Sequence, residues 1–219
     1  MDALLAQAIG TYEPLGRWEY NWAKGKLAND PAFPTVAGRI SELAPTTLLD
    51  VGCGEGYLLA YVRAMAPQIA LIGLDYDQKR LDVARRALGS QPQVRFIGGD
   101  VRQTELPQAD VVTCLDVLHY LDDAGQDSIL ARLAAILRPG GTLLIRDGAA
   151  GEGMRSWLTL WSERIAVFLG RHRGATVHLR PREATIATLE AQGLKVQAED
   201  CREGTVLANV LFTATKPSP

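Results

Sequence analysis

Short apolar runs alternate along this chain with amphipathic stretches of helical period. The runs at 47–51, 69–74, 94–97, 111–115 and 142–145 are rich in Val, Ile and Leu, which reads as strands buried on both faces. Between them, Leu58, Leu59, Tyr61, Val62 and Met65 predict a helix over 56–66. Leu81, Val83, Ala84 and Leu88 predict one near 78–88, and Ile129, Leu130, Leu133, Ile136 and Leu137 a long one over 122–137. Pro139-Gly140-Gly141 is expected to stop that helix and turn into the next strand. Helical signal also precedes the first strand, at Val36 to Leu43. After the fifth strand, Met154, Trp157, Leu158, Trp161, Ile165 and Phe168 share one helical face, an inserted helix ended by Gly170. A last helix near 182–192 and strands at about 194–201 and 205–215 close the chain. Such alternation predicts an α/β fold, a doubly wound and mostly parallel sheet covered on both faces.

The first 35 residues break this rhythm. They hold Tyr12, Trp18, Tyr20, Trp22 and Phe33 together with Pro14, Pro31 and Pro34. A helical arm over 1–45 is expected, its rings packed on the sheet edge or closing as a lid over a ligand. Residues 46–219 then form the main domain, with the inserted helix and an Arg-rich loop at 152–182.

Composition narrows the class. At 219 residues the chain is long enough for one domain with a proper core. A net charge of −2 provides no field that would recruit nucleic acid or anionic membrane. Cys53, Cys114 and Cys201 are far apart and match no zinc spacing, so no metal is expected. Asp2 stands where a basic leader would begin, and no apolar run reaches the length of a membrane span. A reducing, cytoplasmic setting is expected, for a monomer or a homodimer.

Chemistry concentrates at strand ends. The strand Leu48-Leu49-Asp50-Val51 breaks into Gly52-Cys53-Gly54-Glu55-Gly56, and the next strand ends in Asp75. Glycines there let a ligand approach the backbone amides, and an acid at the tip of the neighbouring strand can accept two ribose hydroxyls. A dinucleotide fingerprint starting at Gly52 needs glycine at 57, where this chain has Tyr57. That argues against a nicotinamide-dependent oxidoreductase.

The G-x-G-x-G pattern resembles the first motif of class I S-adenosylmethionine (SAM)-dependent methyltransferases. Further segments are similar in the same order: Gly73-Leu74-Asp75-Tyr76-Asp77, Gly99-Asp100-Val101, Cys114-Leu115-Asp116-Val117-Leu118-His119-Tyr120-Leu121 and Leu137-Arg138-Pro139-Gly140-Gly141-Thr142-Leu143. The resemblance implies a Rossmann-like, seven-stranded sheet with an antiparallel C-terminal hairpin. It implies SAM as cofactor and S-adenosylhomocysteine (SAH) as product. By that resemblance the backbone of Gly52 and Gly54 approaches the methionine portion, and Asp50 supports its amino group. Asp75 accepts the ribose hydroxyls, Tyr76 lies on the adenine, Asp100 accepts the adenine amine, Val101 offers an amide, and the Leu115 carbonyl meets the ammonium.

The acceptor side is less determined. His119, at the carboxyl end of the fourth strand, is the first candidate base, with Tyr12, His172 and His178 behind it. Arg146 and Asp147 close the fifth strand and are expected to line the pocket floor. Arg171, Arg173, Arg180 and Arg182 are either solvated or recognise an anionic group, such as a substrate carboxylate or an acidic acyl carrier protein. A faint similarity to methyltransferases of bacterial aryl-polyene pigment clusters, at 17–27 and 204–211, adds an aromatic acid or carrier-bound acyl group. The expected function is SAM-dependent methylation of a small molecule. A SAM-binding partner subunit without turnover is the alternative.

Overall fold

The computed structural model describes residues 3–150, 177–201 and 209–218. The inserted helix with Trp157 and Trp161, the loop residues Arg171, His172 and Arg173, and the start of the last strand lie outside the described residues. The chain forms two compact units, Met1–Thr113 and Cys114–Pro219.

The first unit contains α1 (Ala3–Gly10), α2 (Arg17–Asn29), α3 (Ala32–Leu43), β1 (Thr47–Val51), α4 (Tyr57–Met65), β2 (Ala70–Asp75), α5 (Gln78–Leu88), β3 (Val94–Gly98) and most of β4 (Ala109–Leu115). Its strand order is β3-β2-β1-β4. β1 pairs parallel with β2, Asp50 opposite Gly73, and β2 pairs parallel with β3. Leu48, Leu49, Leu71 and Leu74 are buried, as strands covered on both faces require. The arm belongs to this unit's core: Ala8, Ile9 and Tyr12 on the first helix and turn, and Val36, Ala37 and Ile40 on α3, are buried. On α2, Trp18 is 77% exposed and stacked on Trp22.

The second unit contains α6 (Asp123–Ile136), β5 (Leu137–Ala150), β6 (Arg180–Pro181), α7 (Arg182–Ala191), β7 (Lys195–Asp200) and β8 (Asn209–Thr215). Its strand order is β5-β8-β7, both pairs antiparallel, which is the expected C-terminal hairpin. The class is the expected one, an α/β Rossmann-like fold with a mostly parallel sheet.

One expectation fails at Pro139-Gly140-Gly141, which lies inside β5 rather than ahead of it. Gly140 takes φ 77, and its N–H donates to the Lys216 carbonyl at 3.0 Å while Lys216 N–H donates to Gly141 at 2.9 Å. Lys216 thus carries the ladder with β8 back to Gly140. The Lys216 ammonium also donates to the Ala134 and Leu137 carbonyls at 3.3 and 2.9 Å, satisfying the end of α6 that a glycine cap would otherwise close.

Candidate active site

The glycine-rich turn is built from conformation. Gly52, Gly54 and Gly56 take φ of 75, 54 and 81, where a side chain is strained. At Gly54 an added Cβ would meet only the Arg80 side chain, at 3.9 Å, so the space beside it is open. At Gly56 it would press on Ala84 and Leu88 at 3.3 Å, which makes that glycine a packing requirement between the turn and α5.

Asp75 holds this turn. It is buried, one carboxylate oxygen accepts the Gly54 N–H at 2.8 Å, and the other accepts the Asp77 N–H at 2.8 Å. The backbone N–H groups of Gly52 and Cys53 donate to the Leu74 carbonyl at 2.8 and 3.0 Å. Tyr76 follows, 66% exposed, an aromatic face left bare on the turn after β2. Asp50 is buried at the end of β1 and accepts the Thr113 hydroxyl at 2.7 Å. Burial, with the nearby Asp75 charge adding to it against the Thr113 hydrogen bond, pushes its carboxyl up from the ordinary 3.8 to about 7.

Asp100 is engaged by its own neighbour. Arg102 Nε lies 3.0 and 2.9 Å from its two oxygens and Nη2 2.5 Å from one, and the Arg102 N–H donates at 2.9 Å. Val101 sits in the same turn. The sequence places these residues at the strand tip but gives no sign that an arginine two positions on would fork onto the acid.

Tyr12 stands against the glycine turn. It is fully buried, its hydroxyl donates to the Glu55 carbonyl at 2.8 Å, and its ring packs on Tyr57 with centroids 5.2 Å apart. Burial first, then Glu55 and Cys53, raise its pKa well above the ordinary phenol value. A phenol so placed braces the glycine turn from the arm.

In the second unit, Leu115 ends β4, and a short 3₁₀ turn at Leu118–Tyr120 carries His119. His119 is buried; its Nδ1 lies 2.5 Å from Asp147 Oδ1, and its N–H donates to Asp147 Oδ2 at 3.1 Å. Asp147 is therefore more than pocket floor: it orients the imidazole with Nδ1–H toward the carboxylate. Sequence reasoning missed this pair, since nothing in their 28-residue separation announces it. These residues line a cavity of about 10 Å³, room for roughly one water, with Gln126, Thr185 and Phe212. His178 is exposed and donates its backbone N–H to the His119 carbonyl at 2.7 Å, so its contribution here is main-chain. Arg180 pairs with Asp127 at 2.6 Å and with Thr188 at 2.9 Å, and Arg182 pairs with Asp200. Those two arginines already have carboxylates of their own.

A glycine turn of left-handed conformation, tied to an acid at the tip of the next parallel strand, defines a nucleotide-binding domain of the doubly wound class. Residues 48–141 match the family model described as a methyltransferase domain. The chain carries a class I SAM-dependent methyltransferase domain, whose cofactor is SAM. It is similar to the malonyl-[acyl-carrier protein] O-methyltransferase of Halalkalibacterium halodurans, 34% identical over 105 residues, covering 46% of this chain and 38% of that protein. The demethylmenaquinone methyltransferase of Deinococcus radiodurans is 30% identical over 145 residues, 62% of this chain and 59% of that protein. Among solved structures, the mitomycin 7-O-methyltransferase MmcR superposes with a TM-score of 0.70 at 26% identity, over 94% of this chain and 59% of that one. The chain thus spans only 38% and 59% of the length of these two curated relatives.

The residues present fit the cofactor. The turn is open beside Gly54, and Asp75 uses one acceptor position on each oxygen for the backbone. Tyr76 presents an exposed ring. Among the described residues no helix is long and apolar enough to cross a membrane.

Proposed function

We propose that this chain is a SAM-dependent methyltransferase that acts on the oxygen of a small molecule, with His119 as general base. The observation that carries the base is the buried His119–Asp147 pair, 2.5 Å between Nδ1 and Oδ1. SAM supplies an electrophilic methyl group on a sulfonium, a leaving group good enough that the protein's work is alignment and exclusion of water. In the first unit, Gly52 and Gly54 let the ligand reach the backbone, Asp50 supports its amino group, and Asp75 receives the ribose hydroxyls. Tyr76 covers the adenine, and Asp100 and Val101 read its edge. In the second unit, Asp147 holds the Nδ1–H tautomer of His119, so Nε2 is the atom that takes the acceptor's hydroxyl proton as the new O–C bond forms.

The acceptor is an aromatic or acyl compound with an anionic end, free or attached to an acyl carrier protein. The carrier-protein form is supported by the name of the Halalkalibacterium halodurans relative. The oxygen acceptor is supported by that name and by the mitomycin relative's.

Two measurements test the proposal. Titration calorimetry with SAH should show binding to the purified protein. Turnover, read as SAH formed from SAM with a panel of phenolic and carboxylic acceptors, should fall about 10²- to 10⁴-fold in His119→Ala with SAH affinity retained. A protein that binds no SAH ends the cofactor assignment. A His119→Ala variant with full turnover ends the base assignment alone.

A further inference from the structure

We infer that Arg146 and Asp147, consecutive residues of β5, form a two-point clamp on the turn that carries His119, and that Arg146 is a positioning residue for that imidazole. The inference rests on the proposed role of His119. Successive side chains of a strand leave on opposite faces, so one strand position can grip a neighbouring turn at two places. Both residues are buried. Asp147 takes the far end of the turn, through the His119 ring and N–H. Arg146 takes the near end: its Nε donates to Asp116 Oδ1 at 3.0 Å and its Nη2 to Asp116 Oδ2. The Asp116 N–H in turn donates to the Arg146 carbonyl at 2.9 Å.

What Arg146 holds there is a strained residue. Asp116 has φ 56, the left-handed region that a non-glycine residue enters at a cost and keeps only when its surroundings hold it. This reversal immediately after Leu115 ends β4 and directs the chain into the 3₁₀ turn, closed by Tyr120 N–H to Val117 and Leu121 N–H to Leu118 at 3.3 and 2.9 Å. A two-nitrogen fork from a buried guanidinium suits this task, because it fixes the orientation of the carboxylate as well as its position. With the fork removed, Asp116 is free to relax toward negative φ. The Val117–His119 segment then moves relative to Asp147, and the imidazole loses its fixed tautomer.

The test reads His119 directly. The chain has three histidines, so the imidazole signals of ¹⁵N-labelled protein are assigned with a His119→Gln control. In Arg146→Met the His119 Nδ1–H signal should broaden or disappear. Arg146→Met combined with Asp116→Gly should recover the wild-type signals, since glycine keeps positive φ without a clamp. Arg146→Lys keeps the charge and loses the fork, and it serves the same purpose if the methionine variant does not fold. Wild-type His119 signals in Arg146→Met or Arg146→Lys, even with a lower melting temperature, would make Arg146 simple strand packing and overturn the clamp. A failure of Asp116→Gly to restore the signals would overturn the strained-backbone route. SAH calorimetry on the wild-type protein runs alongside: absence of binding removes the methyltransferase reading and leaves the imidazole result standing on its own.

Discussion

Replacing Asp50 by Asn should change how stability depends on pH, because burial makes the Asp50 charge costly. The carboxyl moves from 3.8 to about 7 in the folded protein, chiefly through desolvation. At about 1.36 kcal/mol per pH unit, the folded state disfavours the ionised form by roughly 4 kcal/mol. The sign follows from proton counts. Between the two values the folded state keeps a proton that the unfolded state has lost, so stability falls as pH rises. The contribution is complete below about pH 4 and is gone above about pH 7. Asparagine does not titrate and can still accept the Thr113 hydroxyl. Urea unfolding of the wild type and Asp50→Asn at pH 5, 6, 7 and 8 isolates the effect. The difference, variant minus wild type, should rise by about 1.4 kcal/mol per unit between pH 5 and 6, then flatten near pH 7. A difference that stays level from pH 5 to 8 would show that Asp50 is ionised throughout and that water or a cation reaches it.

Asp75→Ala removes the acceptor of the Gly54 and Asp77 N–H groups along with the proposed ribose partner; SAH should bind about 1.5–3 kcal/mol more weakly by calorimetry. Unchanged affinity would remove the ribose assignment. Tyr12→Phe keeps the ring packing and deletes the hydrogen bond to Glu55, so unfolding free energy should drop by about 1 kcal/mol and SAH affinity should drop with it. Lost stability with unchanged affinity would mean that the arm supports the core without shaping the glycine turn.

The strand and helix runs of the first unit were legible because their burial is simple. The boundaries of β1 and α5 stand where the apolar pattern puts them, since both faces of one and a single stripe of the other meet the core. β4 begins earlier than its apolar run, at Ala109, and the reason is tertiary. The Asp110 carboxylate accepts from the N–H groups of Thr46 and Thr47 at 2.9 Å, so a polar residue is held in the strand by partners more than 60 positions away. The pairing of β5 at Gly140 and Gly141 also has a tertiary origin, in Lys216. At the site, glycines and acids were legible because strand ends limit what they can do. Who holds them was not. Thr113 on Asp50, Arg102 on Asp100 and Asp147 on His119 are pairings of tertiary structure or of a local fork, and no periodicity encodes them.

The two acids proposed to hold the ribose and the adenine differ in how ready they are for a ligand. Each carboxylate oxygen can accept about two hydrogen bonds. Asp75 accepts one backbone N–H on each oxygen, which orients the group and leaves a position on each for a vicinal diol. Its partners are main-chain, so they stay in place when a ligand arrives, and little reorganisation is needed. Asp100 accepts the Arg102 N–H and also its guanidinium, on a side chain that is largely exposed, so on the proposed assignment an adenine amine must share the carboxylate with that guanidinium or displace it. A displaced Arg102 can rehydrate at small cost, whereas a displaced main-chain donor under the turn cannot. On the proposed assignment, the rigid part of recognition lies at Asp75 and the glycines, and the adjustable part at the adenine edge. On that assignment the turn of left-handed glycines is tied to Asp75 by a main-chain hydrogen bond, while Asp100 takes a side-chain fork from Arg102 as well as the Arg102 N–H.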